Sequence, residues 1–199
     1  LLMTTRRSAL AVGIAPFEIK VLSDASALQL LQQIVGDARV EADPETAQQL
    51  CQWLGYLPLG IELVGQYLKH KSDTPLTTLW QRLESQRLDA RALQQAYPGM
   101  TAELGVIEAF ELSWQVLSAE AQQLACWLSL FALAPLPWSV VTAQQATAEL
   151  ETLEEARDEL AQLSLLQRLD SGVYQLHQLV REYFLAQIEQ GSDADERKQ

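Results

Sequence analysis

The chain has 199 residues, of which 48% are apolar and 20% charged, a balance typical of a globular protein with a substantial core. Its formal net charge of -12 disfavours nucleic acid as a partner, because affinity for phosphates comes from clustered Lys and Arg, and the basic spots Arg6-Arg7 and Lys69-His70-Lys71 are short. No apolar run is long enough to cross a bilayer, no basic leader is present, and Cys51 and Cys126 lie in apolar helical patterns typical of buried reduced thiols rather than a disulfide or metal site, so we expect a cytoplasmic protein without membrane partners.

The first 22 residues resemble the end of a sheet. An apolar run from Leu1 stops at Thr4-Thr5-Arg6, as at the end of a buried strand. The segment from Phe17 to Leu22 alternates apolar and charged residues, which predicts a short strand. Because the sequence lacks a starting Met and begins within a strand, we expect it to be a fragment of a longer protein.

Helices follow, each with a recognisable start. Ser23 or Asp24 can cap a helix that Gly36 closes, and Asp43-Pro44-Glu45 opens the next one with a capping carboxylate and a first-turn proline. Thr74-Pro75 begins another helix with a solvent-facing polar side. The first half of the chain is therefore predicted to be helical.

The corner between two of these helices is Gly55-Tyr56-Leu57-Pro58-Leu59-Gly60. Gly55 can adopt the left-handed conformation that closes a helix, and Pro58 fits the first turn of the next. Apolar residues at helical spacing flank the corner: Ala47, Leu50, Cys51 and Leu54 before it, and Leu57, Ile61, Val64 and Leu68 after it. This pattern predicts two helices with one buried face each and an exposed proline ring, although Gly and Pro join helices in many proteins without a binding role.

The second half, after a boundary near Pro98-Gly99, has the pattern of a winged helix. Ser118 is a capped start for one apolar helix, shorter and longer helices are predicted over 140–145 and 150–163, and Asp170-Ser171-Gly172 joins two short strands as a hairpin wing. A final helix begins at His177. The predicted fold class is therefore mainly α, with a small β-hairpin.

The corner and the first strand end resemble one family. Gly-Tyr-Leu-Pro-Leu is similar to the GLPL motif of the NB-ARC branch of the STAND nucleotide-switch ATPases, in which the proline packs on the adenine of a bound nucleotide. The resemblance assigns that role to Pro58. Thr4-Thr5-Arg6 is similar to the sensor-1 element of this family, so Arg6 would reach the terminal phosphate of ATP through its fork of N–H donors. A solvated arginine at a strand end is the alternative.

Two further stretches resemble the same family in the same order. Leu112-Ser113-Trp114 with Leu130-Phe131 is similar to the stretch in which helices of its winged domain pack together, so we expect the aromatic side chains of this stretch in the core. Leu176-His177-Gln178 resembles the MHD motif, whose histidine contacts the β-phosphate of ADP in the resting state. Gln178 replaces the Asp of plant members and supplies no negative charge. For His177 alone, a helix-cap or core histidine is the alternative.

The resemblance implies four segments: the end of an α/β nucleotide-binding sheet over 1–22, a helical subdomain over 23–98, a winged-helix subdomain over 99–189 and a polar tail over 190–199. It also implies ADP or ATP as cofactor. Arg6, Pro58 and His177 would surround a shared hollow that holds this nucleotide. No Gly-x-x-x-x-Gly-Lys-Ser/Thr loop occurs in the sequence, so we expect no ATP hydrolysis by this chain alone.

The expected partners follow from the same family. They are a missing P-loop domain that supplies Mg²⁺, a downstream repeat sensor domain, and further copies of the protein after activation. Two other functions stay open. One is a winged-helix transcription regulator that binds DNA, but its recognition helix would carry five acidic residues against Arg157, the wrong charge for a groove. The other is a helical scaffold that binds only proteins.

Overall fold

The computed structural model describes residues 20–84, 104–143 and 147–196. The predicted fold class is confirmed for these residues, which form a mainly helical protein with a small antiparallel sheet. No helix in these ranges is both long and apolar enough to span a bilayer. The helices are α1 Asp24–Val35, α2 Asp37–Glu41, α3 Pro44–Trp53, α4 Pro58–His70, α5 over 76–84, α6 Leu104–Trp114, α7 Ala119–Ser129, α8 Trp138–Thr142, α9 Thr147–Gln162 and α10 Gln178–Glu196. The strands are β1 Leu136–Pro137, β2 Gln167–Asp170 and β3 Val173–Gln175.

The capped helix starts of the first half are confirmed. The Ser23 hydroxyl accepts a hydrogen bond from the backbone N–H of Ser26 at 3.2 Å, and the Asp43 carboxylate accepts one from Thr46 at 3.2 Å. Each bond satisfies an N–H group that has no partner within its helix. Gly36 ends α1 at a φ of 91°, where an L side chain is strained.

The end of the predicted strand 17–22 is not a strand. Residues 20–22 have no strand pairing, and the N–H of Leu22 donates instead to the carbonyl oxygen of Tyr56 at 3.0 Å. Leu22 therefore joins the helical corner rather than a strand. Residues 17–19 and the first strand end, with Arg6, lie outside the described residues.

The corner between α3 and α4 is confirmed and is tighter than predicted. Gly55 has a φ of 63°, and Tyr56 also takes the left-handed conformation, at 57°. The Tyr56 N–H donates to the carbonyl oxygen of Cys51 at 3.0 Å, which closes α3. Pro58 is the first residue of α4. Two consecutive left-handed residues reverse the chain between the helices.

Helix α4 is buried on more than the one face predicted for it. It packs against α1 on one side and against α6 on another. Leu63 and Tyr67, outside the predicted apolar stripe, are buried as a result. Gly65 lies so close to α1 that a Cβ atom there would meet Ile34 Cγ2 at 2.8 Å. The predicted apolar stripe accounts for only one buried face, whereas two neighbouring helices cover two different sets of positions on α4.

The second half contains the predicted capped helix and hairpin. Ser118 caps α7 by accepting from the N–H of Ala121 at 3.2 Å, and α7 packs against α9 and α10. Helix α7 ends at Ser129, and Leu130, which follows it, is 64% exposed. Phe131 is half-buried. Helix α10 continues to Glu196, into the segment expected as a polar tail.

The wing is a two-stranded hairpin extended by a third strand. Strands β2 and β3 pair antiparallel around Gly172, whose φ is 70°. Strand β1, which was not predicted, pairs with the other edge of β3, so the order is β1-β3-β2. The backbone N–H of Trp138 donates to the carbonyl oxygen of Gly172 at 2.7 Å and so fixes the start of α8 to the tip of the hairpin.

Candidate nucleotide-binding site

Pro58 is an exposed ring on a rigid support. It begins α4, and the carbonyl oxygen of the preceding Leu57 accepts the N–H of Ile61 at 3.1 Å. At Gly60, the third residue of α4, a Cβ atom would lie 3.2 Å from Leu54 Cδ2, so the first turn of α4 lies close to the end of α3. This geometry holds the ring in place, as stacking on a planar apolar group requires.

His177 is exposed and caps the last helix. Its Nδ1 accepts a hydrogen bond from the N–H of Leu179 at 3.2 Å, and its carbonyl oxygen accepts from the N–H of Arg181 at 3.0 Å. The imidazole therefore has the helix-cap role that was the alternative for this residue. Because Nδ1 acts as an acceptor, the neutral ring carries its proton on Nε2. That N–H is the group of His177 that could donate to a phosphate oxygen.

Gln178, which replaces the acidic residue of the family motif, is engaged within its own helix. Its Nε2 donates to Glu182 Oε1 at 2.8 Å, one turn further along α10. Both side chains are exposed. Gln178 therefore makes a local hydrogen bond without contributing a charge near His177.

The shared hollow of Arg6, Pro58 and His177 stays a prediction. Arg6 lies outside the described residues. Pro58 and His177 begin two different helices, α4 and α10, and both of these helices contact α6. Helix α6 thus connects the elements that carry the two rings.

An apolar groove lies elsewhere on the second half. It runs between the end of α7 and the small sheet, with Phe131, Leu136, Tyr174 and Arg181 among its lining residues. Arg181 is held at its edge, where Nε donates to the carbonyl oxygen of Phe131 at 3.1 Å. Neither Pro58 nor His177 lines this groove. The two predicted nucleotide contacts that the structure describes are therefore not part of this groove.

Sequence reasoning missed a partly buried polar contact between α6 and α10. The Tyr183 hydroxyl donates to Glu111 Oε2 at 2.7 Å, and the other oxygen of this carboxylate accepts from Gln115 Nε2 at 3.1 Å. Burial and then the hydrogen bond to Glu111 raise the pKa of Tyr183 far above its ordinary value, so the donor stays protonated. An acidic residue within the apolar helix α6 was the available signal for such a partner.

The contact extends into the first half through Arg82 of α5. One terminal nitrogen of Arg82 donates to Gln115 Oε1, and the other donates to the Tyr67 hydroxyl at 3.2 Å. A chain of hydrogen bonds thus runs from α4 through α5 and α6 to α10. Nothing in the local sequence around Arg82 indicates this role, because its partners are distant in the chain.

Helix α9, the candidate recognition helix, presents acidic groups. Its one arginine, Arg157, is folded onto the sheet side, with its guanidinium carbon 5.0 Å from the ring centre of Trp138 and 5.5 Å from that of Tyr174. The exposed charged side chains of this helix are Glu151, Glu154, Glu155 and Asp158. The same guanidinium forms an ion pair with Asp158 Oδ1 at 2.7 Å, so the cation is engaged within the protein.

The chain is similar to two curated proteins. It is 30% identical to the regulatory protein AfsR of Streptomyces griseus over 185 residues. These aligned residues make up 92% of this chain and 18% of that protein. It is 29% identical to the regulatory protein AfsR of Streptomyces coelicolor over 169 residues, and these make up 83% of this chain and 16% of that protein. The chain thus spans less than a fifth of the length of these relatives. No protein-family model matches the sequence.

Proposed function

We propose that this chain is the regulatory nucleotide-binding segment of a STAND-type, NB-ARC-like signalling ATPase in the cytoplasm. It closes on ADP and opens on activation, and it has no catalytic activity by itself. The observation that carries the proposal is His177. This exposed imidazole stands between the wing and the last helix with Nδ1 engaged by Leu179, so its Nε2–H is left to donate to a phosphate.

Pro58 supports the same proposal from the other half of the chain. Its ring is apolar, exposed and fixed at the start of a buried helix, which suits stacking on a purine. In the proposed site Arg6 approaches the terminal phosphate of ATP. Mg²⁺ and the phosphate loop belong to the missing P-loop domain, so this chain supplies contacts to the nucleotide and no bond cleavage.

The similarity to two proteins named as regulatory supports a regulatory role. In the proposed switch, His177 stabilises the closed state because it contacts ADP there and loses that contact on opening. A ligand shifts a conformational equilibrium only by its difference in affinity for the two states. The contact of His177 with ADP would provide that difference.

DNA binding through α9 is the less favoured function. Glu151, Glu154, Glu155 and Asp158 are exposed on this helix, and each would approach DNA phosphates with a like charge. The cation of the helix, Arg157, is committed to the rings of Trp138 and Tyr174. A gel shift at low salt tests this alternative, and we expect no retarded complex.

The proposed function is tested by ADP retention in the longer protein that contains this segment. The protein is loaded with labelled ADP, and dissociation is followed for the native sequence, Pro58→Ala and His177→Ala. We expect both substitutions to accelerate ADP release about five- to thirtyfold, since each removes a contact worth roughly 1 to 2 kcal/mol.

Matched controls separate contact loss from loss of fold. Pro44→Ala removes another exposed first-turn proline, at the start of α3, and His70→Ala removes the other histidine, which is exposed at the end of α4. These variants should release ADP at the native rate. Unchanged release in both Pro58→Ala and His177→Ala would refute the proposed site.

A further inference from the structure

We propose that the moving boundary of the switch lies between α6 and α10, where the Tyr183–Glu111 hydrogen bond acts as its latch and residues 115–117 act as its hinge. In this proposal α6 stays with the first-half helices when the segment opens. The inference rests on the proposed function for the role of the motion. It differs from the boundary near Pro98-Gly99 that the sequence pattern suggests.

The backbone of α6 lies in close contact with helices of the first half. A Cβ atom at Gly105 would lie 2.8 Å from the carbonyl oxygen of Trp53, and one at Gly60 would lie 3.3 Å from Val106 Cγ2. Two glycines thus allow α6 to approach the end of α3 and the start of α4 closely. Such a contact does not slide without steric overlap, so α6 moves with these helices.

Helix α10 contacts α6 through aromatic side chains and one hydrogen bond. The ring centre of Tyr183 lies 5.2 Å from that of Phe110, and the ring of Phe184 lies 5.6 Å from that of Trp114. The Tyr183 hydroxyl adds the hydrogen bond to Glu111 at 2.7 Å. Separating the two helices would break these aromatic contacts and this hydrogen bond, and it would expose the buried rings of Phe110 and Phe184.

The two residues of the latch are positioned by different parts of the chain. The Glu111 carboxylate is oriented by Gln115, which Arg82 of α5 holds in turn. The donor, Tyr183, is part of α10, which packs against α7. The first half therefore positions the acceptor, and the second half positions the donor.

The hinge is the short turn between two fixed points. Helix α6 ends at Trp114, and Ser118 at the start of α7 is fixed by Glu159 of α9, which accepts its N–H at 2.8 Å and its hydroxyl at 2.6 Å. Residues 115–117 between them are the connection that must change if α6 and the winged unit rotate apart.

The test measures the distance between the halves in the 199-residue chain. Spin labels are placed on the exposed positions Lys69→Cys of α4 and Glu154→Cys of α9, in a Cys126→Ser background, and the distance distribution is recorded by pulsed electron resonance. We expect Tyr183→Phe to raise the ratio of long to short distances about tenfold, and Glu111→Gln to raise it less, because glutamine still accepts a weaker bond.

Tyr174→Phe is the control, since it removes the hydroxyl of another tyrosine of the winged half, one that is buried in the core. Its distribution should equal that of the native chain. Identical distributions for all variants, or the same broadening in Tyr174→Phe, would overturn the latch. Thermal unfolding of each variant tests whether the fold persists. We expect Tyr183→Phe to fold because phenylalanine keeps the aromatic ring.

The release of ADP from the longer protein separates this inference from the proposed function. A longer distance in Tyr183→Phe with unchanged ADP release supports the latch and contradicts its link to nucleotide. Native distances in Tyr183→Phe, together with rapid release from His177→Ala, support the proposed function and refute the latch.

Discussion

The carboxylate of Glu159 accepts both hydrogen bonds that Ser118 can donate, from the backbone N–H at 2.8 Å and from the hydroxyl at 2.6 Å. The Ser118 oxygen in turn accepts the N–H of Ala121. A negative charge is thus held at the start of α7, where the helix dipole favours it. Helices α7 and α9 are joined through this one cap.

We expect Glu159→Ala to lower the free energy of unfolding by about 1 to 2 kcal/mol, because it removes two charge-assisted hydrogen bonds at a partly exposed cap. Chemical denaturation of the 199-residue chain measures the change. Glu155→Ala, an exposed acid one turn earlier on α9, is the control and should change stability by less than about 0.5 kcal/mol. Equal effects of the two substitutions would show that the cap contributes nothing specific.

Arg39 of α2 should be a second strong determinant of stability. Its guanidinium donates to the carbonyl oxygens of Leu68 at 2.7 Å, Lys71 at 3.3 Å and Thr74, which lie at the end of α4 and in the turn that follows it. We expect Arg39→Ala to cost about 2 to 4 kcal/mol, because several acceptors lose a partly buried charged donor together.

Arg39→Lys should recover less than half of that loss, because an ammonium group lacks the planar fork that reaches separate carbonyls. Thermal and urea unfolding of both variants measure this order. Arg168→Ala, which removes an exposed arginine from β2, is the control. If Arg39→Lys is as stable as the native chain, charge alone accounts for the effect.

Local chemistry made the helix starts predictable. Ser23, Asp43 and Ser118 each cap an N–H three residues ahead, so the residue and its partner lie within one short stretch of sequence. The same holds for the left-handed glycines at 55 and 172, which stand between two apolar patterns. Features set by neighbours in the chain are therefore visible without the fold.

Features set by distant partners were not predictable. Helix α2 is five residues long, too short to show a periodic pattern, and Arg39 within it acts on carbonyls about 30 residues away. Strand β1 contains a proline and exists because β3 offers it an edge. For the candidate site, the positions of Pro58 and His177 at two helix starts follow from local patterns. The space between them depends on how the halves are arranged, and their shared hollow stays a prediction.

The close approach of α1 and α4 at Gly65 should make this position intolerant of a side chain. A Cβ atom there would lie 2.8 Å from Ile34 Cγ2 and 3.0 Å from Cδ1. We expect Gly65→Ala to destabilise the fold by about 1 to 3 kcal/mol, because the added methyl group overpacks the contact. A double-mutant cycle with Ile34→Ala should show a favourable coupling of about 1 kcal/mol, since the opposing atoms are then removed.

Gly105→Ala is the comparison for that cycle. Its added Cβ atom would meet the backbone carbonyl oxygen of Trp53 at 2.8 Å, which no side-chain truncation can move away. Urea unfolding should therefore find Gly105→Ala destabilising in the native and Ile34→Ala backgrounds alike. Additive effects of Gly65→Ala and Ile34→Ala would contradict the contact with Ile34.

The stability of the chain should fall in alkaline solution because of Cys51. Burial, with a smaller contribution from Asp24, raises the pKa of this thiol to about 11, whereas the thiol of an unfolded chain ionises near 9. Between these two values the unfolded state loses its proton and the folded state keeps it. Each pH unit in this window should therefore remove about 1.4 kcal/mol from the free energy of unfolding.

Cys51→Ala isolates this effect from other groups with raised pKa values, such as Tyr183, which also weaken the fold at high pH. The variant should be less stable than the native chain at pH 8, because replacing the fully buried Cys51 side chain with alanine leaves a cavity. The difference should then narrow by about 2 to 3 kcal/mol as the pH rises to 11, since only the native chain carries the thiol. Urea unfolding at pH 8, 9, 10 and 11 measures the gap. A constant gap would mean that Cys51 ionises equally easily in both states, and that the buried site exerts no control over its proton.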